Sequence, residues 1–178
     1  ALSPFRMEKL LSLLKTAAPC IRTVDCAFIH FVQTTHCLNE REHGVLAKLL
    51  TYGGPLAALG KGEMFLVIPR FGTLSPWASK ATDIARNCGL TTIKRIERGI
   101  IFSMHCDKPL ENRDREAILR SIHDPMTETV RTELDSADQL FAVQAAQPLA
   151  TVPVTAEGKA ALVRANAENG LALSPDEI

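Results

Sequence analysis

Apolar and polar residues alternate along two segments of the chain, as they do in β-strands with one buried face. In the segment that follows Gly89, the apolar face carries Ile96, Ile100, Phe102 and Met104, and the other carries Arg95, Glu97, Ser103 and His105. An earlier segment has on its corresponding face Val24, Cys26, Phe28 and Val32. The run GEMFLVIPR predicts a shorter strand, and a fourth is placed loosely at Thr127–Leu134.

Apolar residues at helical spacing predict helices before and between these strands. One stripe precedes Gly89, which suits a helix end, and it consists of Trp77, Ala81, Ile84, Ala85 and Cys88. Another helix begins at Asn39, with Glu42 as its capping partner. Its apolar residues are Val45, Leu46, Leu49 and Leu50.

The tripeptide Leu-Ser-Pro begins at Leu2, Leu74 and Leu173. Each copy has the form of a helix start, because serine caps a first turn and proline is tolerated at its first position. Glu177 lies three residues after Ser174 and predicts a capping box for a further helix. Since the sequence ends at Ile178, we expect the chain to be a piece of a longer protein.

The first two copies lie 72 positions apart, and the same shift aligns further residues without gaps. Ile21-Arg22 meets Ile93-Lys94, and Val24-Asp25 meets Ile96-Glu97. Because a helix cap, a strand and a helix face all coincide under this one shift, we infer an internal duplication. Each unit reads helix, strand, helix, strand, which predicts an α+β fold with two tandem ferredoxin-like halves, residues 1–72 and 73–141, and an antiparallel sheet with helices packed on it.

Residues 142–154 carry no charge and two prolines, which is typical of a linker. We expect Thr155 to cap a helix from Ala156 to about Asn169, with Gly170 after its end. Residues 155–178 are too few for a domain of their own and are interpreted as the start of a truncated helical domain.

Charge and cysteine content narrow the possible functions. Formal net charge is zero and no run of like charge occurs, so no nucleic-acid surface is expected. Apolar stretches such as MFLVIP are too short to span a bilayer, and no signal peptide is visible. Five cysteines without regular spacing favour a reducing compartment, and we expect the cytoplasm.

Candidate catalytic and metal-binding residues are few. Cys20, Cys26, His30 and His36 share strand parity but are too far apart to bind one metal, so cysteines packed as small apolar residues are favoured. His105 and the adjacent Cys106 point to opposite faces, and Cys88 belongs to the apolar helix stripe. His123-Asp124-Pro125 is interpreted as a helix end and turn rather than an acid/base pair.

One segment, PRFGTLSPWASKATDIARNCGLTTIKRIERGI (Pro69–Ile101), is dense in polar residues. It closely resembles the N-terminal signature of the phosphoribosylformylglycinamidine synthase (FGAM synthase) family in its large single-chain form. HDPMTETV, and the first and last segments, ALSPFRMEKLL and NGLALSPDEI, are also similar to that family. The resemblance implies a PurS-like N-terminal domain, equivalent to a dimer of a small separate subunit, followed by the first part of a linker domain.

The resemblance further implies that the parent enzyme is an ATP-dependent C–N ligase with glutamine amidotransferase activity. It converts FGAR, ATP and glutamine to FGAM, ADP, phosphate and glutamate. Its catalytic residues and its ATP and Mg sites are expected beyond Ile178, so this chain is expected to hold no catalytic residue, cofactor or metal. Its expected partners are the synthetase and glutaminase domains of the same parent chain.

A non-catalytic scaffold that keeps ammonia within the enzyme is therefore the leading hypothesis. The alternatives are a free-standing regulatory or small-molecule-binding domain and, with less support, an enzyme in its own right. We expect the helix after Ser75 and the loop before it to dock the synthetase domain, and exposed docking surfaces to promote self-association. The candidate docking residues are Arg70, Thr73, Ser75, Trp77, Ser79, Lys80, Thr82, Asp83, Arg95, Glu97 and Arg98.

Overall fold

The computed structural model describes residues 1–52, 59–60, 62–142 and 148–178, except for the side chains of 135–137. The chain divides into two compact units, Ala1–Val143 and Gln144–Ile178. The predicted boundaries at residues 141 and 154 stay predictions, and residues 143–147 of the predicted linker lie outside the described residues.

The first unit contains two successive αβαβ segments. The first segment consists of α1 (Pro4–Ala17), β1 (Ile21–Thr34), α2 (Glu40–Leu50) and β2 (Glu63–Pro69). The second consists of α3 (Pro76–Asn87), β3 (Ile93–Cys106), α4 (Asn112–Ile122) and β4 (Glu128–Arg131), followed by a 3-10 helix at Asp135–Phe141. The strands form one antiparallel sheet in the order β1-β3-β2-β4. This confirms the predicted α+β class and agrees with ferredoxin-like halves.

The bounds of β3 and α4 equal those of β1 and α2 after the predicted shift of 72 residues. In the β1–β3 ladder, Phe28 lies directly opposite Ile100, which is its own repeat equivalent. These two strands are therefore related by a local two-fold axis, which agrees with the predicted duplication. The correspondence between the two halves ends after α4. Strand β4 lies within the predicted Thr127–Leu134, whereas the residues equivalent to β2 form the 3-10 helix.

Helix caps follow the sequence signals closely. The Ser3 and Ser75 hydroxyls accept backbone N–H groups of Arg6 and Ala78, at 3.4 and 3.0 Å. Asn39 and Glu42 form a complete capping box at α2. The third Leu-Ser-Pro copy forms the reciprocal contacts of Ser174 and Glu177, but the residues after Ser174 form a turn and not a helix.

The apolar core lies on both faces of the sheet. Under α1 and α4, one cluster includes Leu14, Phe102, Met104 and Ile118. Beside α2 and α3, a second includes Leu46, Ala85, Ile93 and Ile96. On the opposite face, Leu140 of the 3-10 helix closes a third cluster with Ala27, Leu66, Ile68 and Ile101. Alternate residues of β1 and β3 thus serve different cores, as their period of two requires.

The predicted apolar stripe of α3 is wrong in part. The helix buries Ala78, Thr82 and Ala85, whereas Ile84 and Cys88 are exposed. Small residues face the sheet because α3 packs close to β3, and the bulky Trp77 is left half-buried at the margin. Gly89 follows with φ of +87°, in agreement with the predicted helix end.

The second unit contains α5 (Val154–Glu157) and α6 (Lys159–Asn169). The prediction of one helix capped by Thr155 is wrong, because Thr155 lies inside α5 and Gly158, with φ of +64°, separates the two helices. Gly170 does end α6, in the left-handed conformation that glycine tolerates. In the described parts of the chain, no helix is long and apolar enough to cross a membrane.

Candidate functional site

A buried carboxylate joins the loop before α3 to strand β3. The Glu97 side chain is 0% exposed and pairs with Arg95, whose side chain is 20% exposed. Ser75 donates its hydroxyl to Glu97 Oε2 at 2.8 Å, while Arg95 Nε donates to Oε1 at 2.9 Å. The buried charge is thus compensated by a cation and by hydrogen bonds, as burial of a carboxylate requires.

The same network extends along the preceding loop. Arg95 Nη2 donates to the Thr73 carbonyl at 2.6 Å, and the Thr73 hydroxyl donates to the Arg70 carbonyl at 2.6 Å. Arg70 reaches the turn before β4, because its backbone N–H donates to the Thr127 carbonyl at 3.0 Å and its side chain to the Met126 carbonyl at 3.3 Å. Five of the candidate residues therefore form one connected network around Glu97, which we call the Glu97 network: Arg70, Thr73, Ser75, Arg95 and Glu97.

Thr82 is a correction to the predicted docking surface. The sequence predicts it as a docking residue, but it is buried, and its hydroxyl accepts the Ile96 backbone N–H at 3.0 Å. The pairing of β2 with β3 ends at Val67 and Ile100, so the N–H of Ile96 lies past the end of that ladder. Thr82 satisfies this donor and has a structural position instead of an outward-facing one.

The outer side of α3 carries three of the candidate residues. Ser79, Lys80 and Asp83 are all exposed. Lys80 and Asp83 do not pair with each other, and among the described residues neither charge has a salt-bridge partner. The helix thus presents two unpaired charges of opposite sign one turn apart.

The two remaining candidates, Trp77 and Arg98, contact residues that the sequence prediction missed. The Arg98 guanidinium carbon lies 4.3 Å from the Phe28 ring centroid and 4.6 Å from the Trp77 ring centroid. Tyr52 and His30 complete this group. Strand parity places Arg98 and Glu97 on opposite sides of β3. Phe28 and His30 do follow the parity of the predicted strand face, which was the signal available for finding them.

Cys20 and Cys106 have the surroundings of packed side chains and not of a nucleophile, whereas Cys37 and Cys88 are exposed. Cys20 is buried, with its Sγ 3.9 Å from Asp114, and burial and the neighbouring Cys20 raise the pKa of Cys106 to about 11. Such a thiol is protonated and unreactive at neutral pH. Over the described residues, no group of three or more histidine, cysteine or acidic side chains is arranged to hold a metal.

The segment His123-Asp124-Pro125 forms the predicted helix end and turn. His123 follows α4 in an extended conformation, with its Nδ1 2.7 Å from the Leu119 carbonyl. Asp124 Oδ1 accepts the Met126 backbone N–H at 2.9 Å. Both side chains therefore stabilise the connection between α4 and β4.

The strand order and the repeat register define a class of protein, a duplicated α+β domain built from two ferredoxin-like halves. A family model described as formylglycinamide ribonucleotide amidotransferase N-terminal matches residues 27–141, which is more than half of the chain. The chain belongs to this family, the N-terminal domain of FGAM synthase, an enzyme of purine biosynthesis. The match spans both halves and confirms the resemblance found in the sequence.

Proposed function

We propose that this chain is a non-catalytic scaffold within FGAM synthase and docks the synthetase domain through α3 and the loop before it. The observation that carries this proposal is the pair of exposed, unpaired charges, Lys80 and Asp83, on a helix whose start is fixed by the buried Glu97. A rigid backbone that presents uncompensated charges is suited to a complementary surface, because little conformational entropy is lost on binding.

The scaffold would bridge the synthetase and glutaminase domains and help to retain ammonia between them. ATP, Mg and the groups that hydrolyse glutamine would be held by those domains, in a ligase that couples the release of ammonia to FGAM synthesis. The five free cysteines agree with function in the reducing cytoplasm.

Single substitutions in the full-length enzyme test this role. Lys80→Ala and Asp83→Ala should lower glutamine-dependent synthesis by about threefold to tenfold, which corresponds to roughly 1 kcal/mol of lost docking energy. Synthesis from added ammonium should fall less, because external ammonium does not depend on a sealed contact between domains. The ratio of the two activities is the measurement.

Glu8→Ala and Lys9→Ala on α1 are matched controls, since both residues are exposed and lie on the equivalent helix of the first half. They should leave the ratio unchanged. If the α3 variants also leave the ratio unchanged while folding normally, α3 does not form the docking surface and the proposal is wrong.

A further inference from the structure

Arg98 lies among four aromatic side chains drawn from separate parts of the first unit. We call this group the Arg98 cluster; it consists of Phe28 and His30 of β1, Tyr52 after α2, Trp77 of α3 and Arg98 of β3. His30 lies directly opposite Arg98 in the β1–β3 ladder. The group is distinct from the Glu97 network, because adjacent residues of a strand point to opposite faces.

The rings hold the cation and leave most of its hydrogen-bonding capacity unused. Phe28 and Trp77 contact the guanidinium through cation–π interactions, whereas the N–H donors lie in its plane. Among the described residues, the Arg98 side chain forms one hydrogen bond, from Nη1 to the Tyr52 hydroxyl at 3.3 Å, and no ion pair with a carboxylate. Its unpartnered nitrogens reach solvent, since only Arg131 Nε is both buried and unpartnered among the described side chains.

The neighbouring histidine is hydrogen-bonded to Tyr52. The Tyr52 hydroxyl accepts from Arg98, so we assign its own proton to the bond with His30 Nε2, at 2.8 Å. The His30 proton then lies on Nδ1. Burial and the charge of Arg98 lower the pKa of His30, which keeps the ring neutral at pH 7. The cluster thus combines one cation with N–H donors and holds no acidic residue.

The equivalent position in the first half is occupied without a cation. The shift of 72 residues relates Arg98 to Cys26, whose Sγ lies 3.2 Å from Met7 Sδ. A small thiol packs there against apolar neighbours. A half-buried arginine with unused donors costs desolvation energy that this simpler arrangement avoids.

We propose that the Arg98 cluster is an oxyanion site, in which the in-plane N–H groups of Arg98 bind one carboxylate or phosphate group. Two parallel N–H groups of a guanidinium match the oxygens of either group in a bidentate contact. The oxyanion comes from an acidic protein segment or from a free phosphate compound. This site does not depend on the docking role of α3.

Trp77 is the single tryptophan of the chain and contacts Arg98, so its fluorescence reports directly on the site. The 178-residue chain is titrated at constant ionic strength with inorganic phosphate and, separately, with an acetylated tetraglutamate amide. We expect a saturable change with a Kd of roughly 1 to 10 mM for at least one probe. Saturation by phosphate alone assigns a phosphate compound, and saturation by the peptide alone assigns an acidic segment; both support the site.

Arg98→Gln should weaken binding at least about tenfold and Arg98→Lys about fivefold, because lysine keeps the charge but not the planar pair of donors. The matched control is Arg41→Gln, which removes an exposed arginine from α2 and should bind as the unmodified chain does. The NMR shift of the Arg98 Nε–H group gives a second readout that does not depend on the tryptophan.

The proposal is overturned if neither probe causes a saturable change up to about 50 mM. It is also overturned if folded Arg98→Gln binds as tightly as the unmodified chain. If that variant does not fold, Arg98→Lys decides, since unchanged affinity in the lysine variant excludes recognition by the guanidinium plane.

Discussion

The two halves of the first unit have the same framework and different chemistry at equivalent positions. Asp25 in β1 and Glu97 in β3 are related by the shift of 72 residues. The Asp25 side chain is 40% exposed and lies 3.8 Å from His105 Nε2, whereas Glu97 is fully buried and bound by Arg95 and Ser75. The same strand position thus carries a solvated acid in one half and the centre of a buried network in the other.

At two further pairs of equivalent positions, the residue of the second half is more buried or more polar than that of the first half. Phe5 at the start of α1 is 74% exposed, whereas its equivalent Trp77 is half-buried against Arg98. Cys26 packs among apolar side chains where Arg98 presents a cation. The duplication therefore preserved the first helix, the long strand and the second helix of each half, while the compared positions carry more polar interactions in the second half. The predictions below test how much stability and function depend on that difference.

The largest expected contrast is between the two acids. Glu97→Ala should lower the free energy of unfolding by about 3 kcal/mol, because it leaves Arg95 without its carboxylate and Ser75 without its acceptor. Asp25→Ala should change it by less than about 0.5 kcal/mol, since exposed charge pairs contribute little. Urea unfolding of both variants measures the contrast, and equal effects would show that the Glu97 network does not stabilise the second half.

The next largest contrast in stability is expected between the two serine caps, Ser75 of α3 and Ser3 of α1. Ser75→Ala should cost about 2 kcal/mol, because the hydroxyl both caps α3 and donates to Glu97. Ser3→Ala should cost about 0.5 kcal/mol, as its contact with the Arg6 N–H is 3.4 Å long and exposed. Denaturant unfolding again provides the values. A larger loss for Ser3→Ala would reverse the proposed ranking of the halves.

Thr82→Val tests whether the buried hydroxyl of Thr82 stabilises the packing of α3 on β3. The substitution keeps the side-chain shape but removes the acceptor for the Ile96 N–H, and it should cost about 1.5 kcal/mol. Thr16→Val on α1 is the control, since Thr16 is exposed and its hydroxyl contacts only the Ser12 carbonyl of its own helix. If both variants are equally stable, the buried hydrogen bond is not a determinant of α3 packing.

The smallest effect concerns protonation of His30. Burial, and then the charge of Arg98, lower the pKa of His30 below its ordinary value. The stability contributed by the neutral ring is present above the ordinary histidine pKa and is lost as the pH falls through the lowered pKa. Arg98→Gln removes one cause, so the His30 pKa measured by NMR should rise, and stability should decline less in acid. No rise would mean that the two groups do not interact.

Much of the fold could be predicted from the repeat, because the shift of 72 residues relates the bounds of β1 and α2 to those of β3 and α4. Caps at Ser3, Asn39 and Ser75 were predictable because capping is local and depends on a few neighbouring residues. The failure at Thr155 is local, since Gly158 divides the predicted helix, whereas the failure at Thr82 involves contacts outside its own helix. Thr82 is buried where α3 packs on β3, and its hydroxyl accepts the Ile96 N–H, which lies past the end of the β2–β3 pairing. No pattern within α3 reveals that.

The candidate site was predictable as a set of residues but not as an arrangement. The dense segment Pro69–Ile101 supplied all eleven candidates, yet the structure separates them into the Glu97 network, the exposed side of α3, the Arg98 cluster and buried Thr82. Tyr52 lies 46 residues before Arg98 in the sequence and follows α2. Hydrophobic periodicity does not indicate which residue it contacts. Strand parity is the sequence signal that assigns Glu97 and Arg98 to different groups, because adjacent residues of a strand point to opposite faces.

Hydrogen exchange tests most directly whether the second half carries the docking surface. Exchange is compared between the 178-residue chain alone and the same residues within the full-length enzyme. Residues 70–83 should exchange at least about tenfold more slowly in the full-length enzyme, which corresponds to roughly 1.4 kcal/mol of added protection. Residues 2–11 of the first half, which are equivalent to 74–83, should change little. Equal protection of both segments, or protection confined to residues 2–11, would contradict the account.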